Sequence, residues 1–434
     1  MEGEIRGDPA LDRLPESTPL DHTAPEGPPE PGLLANRPFL FLVLGEGVAA
    51  LSFWAYLPIS FSEAAYRFDA TPAQMSIMLA SFSLPFVLFN PIQGAVVDRW
   101  SPKWMNLCGY LALVVAIPVA MAATSLPWLY ASTFLIGVAD ATIQPSRSAL
   151  TGLLVPEVRL VQANGVLWAA IHLALVVGPL GGGVLQRAYD NDTALAAALV
   201  VGLLSFPFFL LVPDRRPERG QARTTHLREL AEGFRVAVRE PELRRLLVLA
   251  AALFLGINAF WALEPLFVRT VLRRGGDALS FLWAAHGAGA FLGAASVSRL
   301  ERGSRLELLL VAGGVLGVGA GQLAYTGTGT WGLALAGSVL MGLGLAYYFA
   351  PALALIQRVA GEALRGRVTS VFGVLQEGSA LVTTLSIAAL AVPVSLVAPT
   401  LVGAGALLVA AGTWGVRASL LLRRAEALRG EGGG

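Results

Sequence analysis

The run FLFLVLGEGVAALSFWAYLPIS, residues 39–60, holds one charged side chain, Glu46, in about six turns of potential helix. A surface helix of a soluble protein alternates an apolar stripe with a polar face, whereas this run is apolar all round. About 20 such residues span the roughly 30 Å hydrocarbon core of a bilayer, and lipid offers the peptide group no hydrogen-bond partner, so the run has to close its own bonds as a helix. Similar runs lie at 73–93, 104–123, 127–147, 160–184, 193–212, 246–268, 279–298, 306–325, 331–355, 368–391 and 397–421. The expectation is an all-α membrane protein with twelve transmembrane helices.

Composition agrees with that pattern. Of 434 residues, 55% are hydrophobic and 14% charged, where a soluble domain carries about a quarter charged. Mean hydropathy is +0.63. A net charge of +1 gives no basic field for nucleic acid. One cysteine, Cys108, excludes a disulfide framework and a cysteine-built zinc site, and four histidines make a metal cluster an unexpected feature. No Gly-x-x-x-x-Gly-Lys-Ser/Thr loop is present, which points away from an ATP-driven pump and towards a gradient as the energy source. No cofactor is expected, and no enzymatic chemistry. The single lysine and the abundance of Ala, Leu and Gly resemble a GC-rich bacterial genome.

The runs divide into two sets of six. Residues 1–36 read as a disordered tail, 37–212 as an N-terminal six-helix bundle, 213–245 as a polar linker with an amphipathic stretch around Leu227–Val238, 246–421 as a C-terminal six-helix bundle, and 422–434 as a second tail. Short matches at an offset of about 205 residues suggest a duplicated unit and hence pseudo-symmetry: Pro145-Ser-Arg-Ser-Ala-Leu with Gly165-Val-Leu167, and Pro351-Ala-Leu-Ala-Leu with Gly373-Val-Leu375. Arg and Lys favour cytoplasmic loops. With the N-terminus inside, only Arg67, Arg187, Arg269, Arg273 and Arg274 of the 31 cations fall outside, so both termini are expected in the cytoplasm.

Three motifs carry more specific chemistry. After the second run comes Gly94-Ala-Val-Val-Asp98-Arg99-Trp-Ser-Pro-Lys103, a helix-packing glycine followed by an acid and two bases at the membrane surface. In the fifth run, Gly178-Pro179-Leu-Gly181-Gly182-Gly183 joins a helix-kinking proline to residues small enough for close packing. Between the fourth and fifth runs stands Pro145-Ser-Arg147-Ser-Ala-Leu, then Leu154-Val-Pro-Glu157 and Ala163-Asn164. The first motif resembles the signature loop of the major facilitator superfamily, with a degenerate copy at Gly293–Arg299 and Arg305. The second resembles the antiporter motif of the family's exporters. The third, with Arg365-Gly366-Arg367-Val-Thr-Ser370, is similar to the enterobactin-exporter and macrolide-efflux branch. The resemblance implies Gly94 as packing glycine, Asp98 as partner of a helix terminus in the second half, and Arg99 and Lys103 as cytoplasmic gate cations. Pro102 departs from it, standing where many members carry another base.

Charged groups inside a span cost a few kcal/mol each, so every one is a candidate for proton coupling or substrate binding. These are Glu46, Asp140, Glu264 and Glu377, with His172 and His286. By position, Glu264 lies near the outer end of its span, close enough to reach the headgroups, and Asp140 is placed for a loose pairing with Arg147. Phe53, Trp54, Tyr56, Trp261, Trp283, Tyr347, Tyr348 and Phe349 are aromatics that can line a cavity or anchor the chain in lipid. The resulting expectation is a monomeric, multi-pass secondary transporter of the bacterial inner membrane. It exports a small drug-like or siderophore-like molecule against protons by alternating access between two pseudo-symmetric bundles. The competing expectations are a nutrient or lipid permease of the same fold, and a membrane receptor that does not transport.

Overall fold

A computed structural model describes residues 32–215, 226–297, 299, 304–360, 364–389 and 405. Among them are twelve α-helices: α1 (Arg37–Tyr66), α2 (Pro72–Arg99), α3 (Pro102–Met121), α4 (Leu126–Leu154), α5 (Leu160–Ala188), α6 (Asn191–Leu211), α7 (His226–Arg239), α8 (Pro241–Thr270), α9 (Asp277–Val297), α10 (Ser304–Thr326), α11 (Trp331–Ala360) and α12 (Arg365–Ala389). Ten of them are long and apolar enough to cross a membrane; α7 and α12 are the two that are not in that set. Eleven of the expected runs coincide with helices, and the amphipathic linker stretch is α7. The run at 397–421 lies outside the described residues. Helix α8 begins at Pro241, inside the stretch read as linker, because Glu240 turns the chain and Pro241 takes the first helical position, where its missing N–H costs nothing.

The chain repeats itself. Helices α8 to α12 start 202 to 205 residues after α1 to α5 in turn. Their packing repeats as well: α1 lies against α5 as α8 does against α12, α2 against α4 as α9 against α11, and α3 against α4 as α10 against α11. The two halves then meet through α5 with α9 and α2 with α12, a pair of contacts that the same pseudo-twofold exchanges.

Two glycines show why the repeat persists. In lipid, helices gain little from hiding apolar surface, so association depends on how closely their backbones approach. A Cβ at Gly137 of α4 would sit 2.1 Å from the Phe82 carbonyl oxygen of α2. At Gly342 of α11, 205 residues on, it would sit 1.9 Å from the His286 carbonyl oxygen of α9. Each crossing has room for hydrogen alone.

The turns at 67–71 and 271–276 define one end of the bundle, called here the turn end. Asp69 adopts a left-handed conformation there, φ 48°, which Asp tolerates better than most residues. Hydrogen bonds join the halves at this end. Arg269 binds the Ala65 carbonyl and the Asp69 carboxylate. Tyr66 donates to the Arg274 carbonyl at 2.6 Å, Ser280 to Gln186 Oε1 at 2.6 Å, and Thr384 to the Ser76 carbonyl at 3.0 Å.

Helix α4 supplies an internal test of close packing. A Cβ at Gly152 meets nothing within 4 Å, whereas one at Gly137 strikes backbone. Gly152→Ala is expected to leave stability unchanged or raise it by about 0.5–1 kcal/mol through helix propensity, and Gly137→Ala to lower it by about 1–3 kcal/mol through overpacking. Thermal unfolding of the two variants in detergent reads the opposite signs.

Candidate functional site

A cavity of about 200 Å³ lies between the halves. Its walls come from α1, α2, α5, α8, α9 and α11, and Trp54, Phe61, Phe82, Phe260, Trp261 and Trp283 supply most of the aromatic surface. Rings from both halves meet across it, Trp54 with Trp283 at 6.4 Å and Phe61 with Trp283 at 6.5 Å between centroids. His286 joins the lining, its ring 6.2 Å from that of Trp261. Of the eight aromatics singled out from sequence, Trp54, Trp261 and Trp283 line this cavity. Tyr56 and Tyr348 are fully buried in helix packing, with the Tyr56 hydroxyl on Ser132.

Among the described residues, one carboxylate faces this apolar space. Glu264 is 3% exposed and therefore does not reach the headgroups, as its position near the end of α8 suggested. Its side chain turns inward because two donors hold it there: Trp283 Nε1 at 2.9 Å on one oxygen and the Tyr325 hydroxyl at 2.9 Å on the other. Tyr325 is itself packed edge-on against Phe260, centroids 4.8 Å apart. Among the described residues, no Arg or Lys lines the cavity. A buried charge lacking a counter-ion costs several kcal/mol, and a proton or a cationic ligand on Glu264 removes that cost.

Glu46 has a different setting. It is wholly buried and accepts from Asn106 Nδ2 at 3.0 Å, the Tyr110 hydroxyl at 2.7 Å and Arg147 Nη1 at 3.2 Å. Arg147 pairs with Glu46 rather than with Asp140, since the carboxylate on α1 lies directly across from it while Asp140 lies two turns along its own helix. The guanidinium also covers the Trp168 ring of α5 at 5.1 Å. Four helices are thereby pinned around one ion pair, with Tyr110 stacked on Phe209 of α6 behind it at 4.5 Å. The motif reading singled out Arg147 but not Asn106 or Tyr110, whose signal was of the same kind as that of Glu46: a polar group inside an apolar run.

Asp140 takes a hydrogen bond from Gln144 at 3.2 Å, and Glu377 of α12 one from Gln376 at 3.3 Å. The two carboxylates stand on opposite halves, Asp140 on α4 and Glu377 on α12. His172, one repeat of 205 residues before Glu377, closes a local bond between its Nδ1 and the Trp168 carbonyl at 2.7 Å.

The sequence motifs separate in function. In the fifth-run motif a Cβ at Gly178 would meet the Leu51 carbonyl oxygen of α1 at 2.7 Å, and one at Gly182 would meet Ile59 at 3.3 Å, so this face packs α5 on α1. Pro179 is buried at the same crossing. Pro145 lies inside α4, two residues before Arg147. Gly94, Asp98 and Arg99 belong to the last turns of α2, and their side chains lie outside the described residues. Lys103 donates to the Leu210 carbonyl of α6 at 2.8 Å. Among the described residues, no group of His, Cys, Asp and Glu is arranged to hold a metal ion.

Comparison with known proteins places this geometry. Residues 42–384 match the family model described as Major Facilitator Superfamily. The chain is 23% identical to the uncharacterized MFS-type transporter YfiS of Bacillus subtilis, over 81% of this chain and 86% of that protein. It is 29% identical to multidrug resistance protein 1 of the same organism over 34% of this chain and 38% of the other. Among solved structures, a mutant of the nucleoside transporter NupG superimposes with a TM-score of 0.71, covering 87% of this chain and 99% of that one at 13% identity, a likeness of fold.

The Glu46–Arg147 pair yields a stability prediction. Arg147→Met strands a buried carboxylate and is expected to cost about 3–5 kcal/mol. Glu46→Gln with Arg147→Met removes both charges and is expected to recover much of that loss. A double-mutant cycle by thermal unfolding measures the coupling, and additive losses would mean the pair holds nothing together.

Proposed function

The chain belongs to the Major Facilitator Superfamily and is a multi-pass membrane transporter; from that premise we propose that it exports lipophilic, drug-like cations in exchange for protons. The observation that carries the proposal is the aromatic cavity, with Glu264 as its one carboxylate and no cation in its lining among the described residues. Aromatic faces attract a cation electrostatically and bury the apolar body of a drug-like molecule. An anionic siderophore would find no counter-charge there. The relative that bears the name multidrug resistance protein 1 agrees with this substrate class.

The exchange follows from electrostatics. One buried carboxylate accommodates a proton or a substrate cation but not both, so arrival of one releases the other. With the turn end joined, the cavity is loaded from the opposite end, which the arginine distribution assigns to the cytoplasm of a bacterial inner membrane. Rocking of the two halves then exposes it outward, where the substrate leaves and a proton takes its place. Asp140 and Glu377, one carboxylate within each half, form a second place at which a proton is held, because an ionised carboxylate inside a span is costly. Glu46, with its three donors, anchors α1 rather than cycling a proton. The unit that transports is the monomer.

Proteoliposomes carrying a pH gradient, with tetraphenylphosphonium as the probe, test this. Wild type is expected to accumulate the probe. Glu264→Gln is expected to abolish gradient-driven accumulation and weaken probe binding about tenfold or more, through loss of the carboxylate's Coulombic attraction for the cation. Normal transport by Glu264→Gln would overturn the proposal. Accumulation of neutral nutrients only would favour a permease, and binding with no accumulation a receptor.

Asp140 and Glu377 are tested separately. Asp140→Asn and Glu377→Gln are expected to move the pH at which transport is half-maximal while leaving probe affinity near wild type. Unchanged pH profiles in both variants would remove them from proton handling.

A further inference from the structure

Helix α7 presents three different faces, each made by two residues four apart. Gly233 and Ala237 are buried, and a Cβ on Gly233 would lie 2.6 Å from the Arg367 carbonyl oxygen of α12. Beside them Glu232 pairs with Arg367 at 2.9 Å, so this side of α7 is fastened to the protein. One residue further, about 100° around the helix, Phe234 and Val238 are 58% and 49% exposed. A further 100° or so around, Arg235 and Arg239 are exposed. An apolar stripe thus runs between a protein-bound stripe and a cationic one.

The position of α7 limits what can cover that stripe. Membrane-crossing α8 starts at Pro241, two residues after α7 ends, so α7 is held at the level where a span enters the bilayer. Trp100 and Trp104 are exposed at this same end, and tryptophan collects at the membrane–water interface. Arg244 and Arg245, exposed in the first turns of α8, extend the cationic side. Among the described residues, Glu240 and Glu242 are exposed acids at the N-terminus of α8, where the helix dipole favours them, and Glu232 is neutralised by Arg367.

We propose that α7 is a docking helix for anionic phospholipid. Phe234 and Val238 enter the boundary between headgroups and acyl chains, and Arg235, Arg239, Arg244 and Arg245 hold the phosphodiester groups, the arrangement of an interfacial amphipathic helix. A soluble protein partner would have to reach an apolar stripe that faces lipid. The Glu232–Arg367 pair and the Gly233 crossing tie the docked helix to the start of α12, the helix that carries Glu377, so the lipid composition of the membrane bears on the placement of that helix.

The test uses the full chain in nanodiscs, with Cys108→Ser to clear the background and Ala231→Cys, an exposed position beside the apolar stripe, carrying an environment-sensitive fluorophore. In phosphatidylcholine mixed with phosphatidylglycerol the label is expected to be quenched by brominated acyl chains and shielded from iodide. In phosphatidylcholine alone the shielding falls. Arg235→Gln with Arg239→Gln is expected to lower the docked-to-undocked ratio in the mixed membrane roughly thirtyfold, at about 1 kcal/mol per cation near an anionic surface. Phe234→Ser with Val238→Ser is expected to abolish bromine quenching in every membrane. An iodide-accessible label in the mixed membrane overturns the proposal, as does equal shielding in both lipids. Shielding without bromine quenching overturns it too, since protein, a second copy included, would then cover the stripe.

Discussion

A hydrocarbon core gives the peptide group nothing to bond with, so each span of this chain closes its own hydrogen-bond ladder before it meets any neighbour. Once closed, a helix is as comfortable against lipid as against another helix, and the difference is made by van der Waals contact at short range. The crossings at Gly137 and Gly342 are the result: backbone against carbonyl, with no room for a methyl group, at the same place in two copies of one unit. A rigid half built in this way can move as a body against the other, which a loosely packed bundle could not do.

The same medium governs the charges. Glu46 is tolerated because Arg147, Tyr110 and Asn106 converge on it from α3 and α4, so the ion pair organises the N-terminal half. Glu264 has hydrogen-bond donors but no cation among the described residues of its cavity. Identical side chains on equivalent first helices of the two halves therefore differ in what they still lack: the first has its counter-ion, and the second, in the proposed exchange, gains one from what enters the cavity. That asymmetry lies within a fold that is otherwise pseudo-symmetric, and it separates a fastening from the proposed binding site.

At the opposite extreme from these buried groups, the surface of α7 is divided between protein, apolar exposure and charge. It packs mainly on the C-terminal half, through α12 and α8, and touches the N-terminal half at α2. Its chemistry suits the plane of the membrane surface rather than its interior.

The sequence by itself determined the spans, their duplication and the amphipathic linker helix, because each of these is a property of consecutive residues: apolar runs have to be helices in lipid, and a repeat offset of about 205 is readable along the chain. It also picked out Glu46, Asp140, Glu264 and Glu377, since a charge in an apolar run is conspicuous wherever the run goes. What those charges face was a matter for the tertiary structure. Arg147 and Glu46 are 101 residues apart, and Tyr325 and Glu264 are 61 apart, so no local pattern connects them. Depth along a span said that Glu264 was near the membrane surface, while the packing of α8 and the donors Trp283 of α9 and Tyr325 of α10 turned it into the cavity. Position along a helix is written in the sequence, but the direction in which a side chain points is settled only when the helices have found one another.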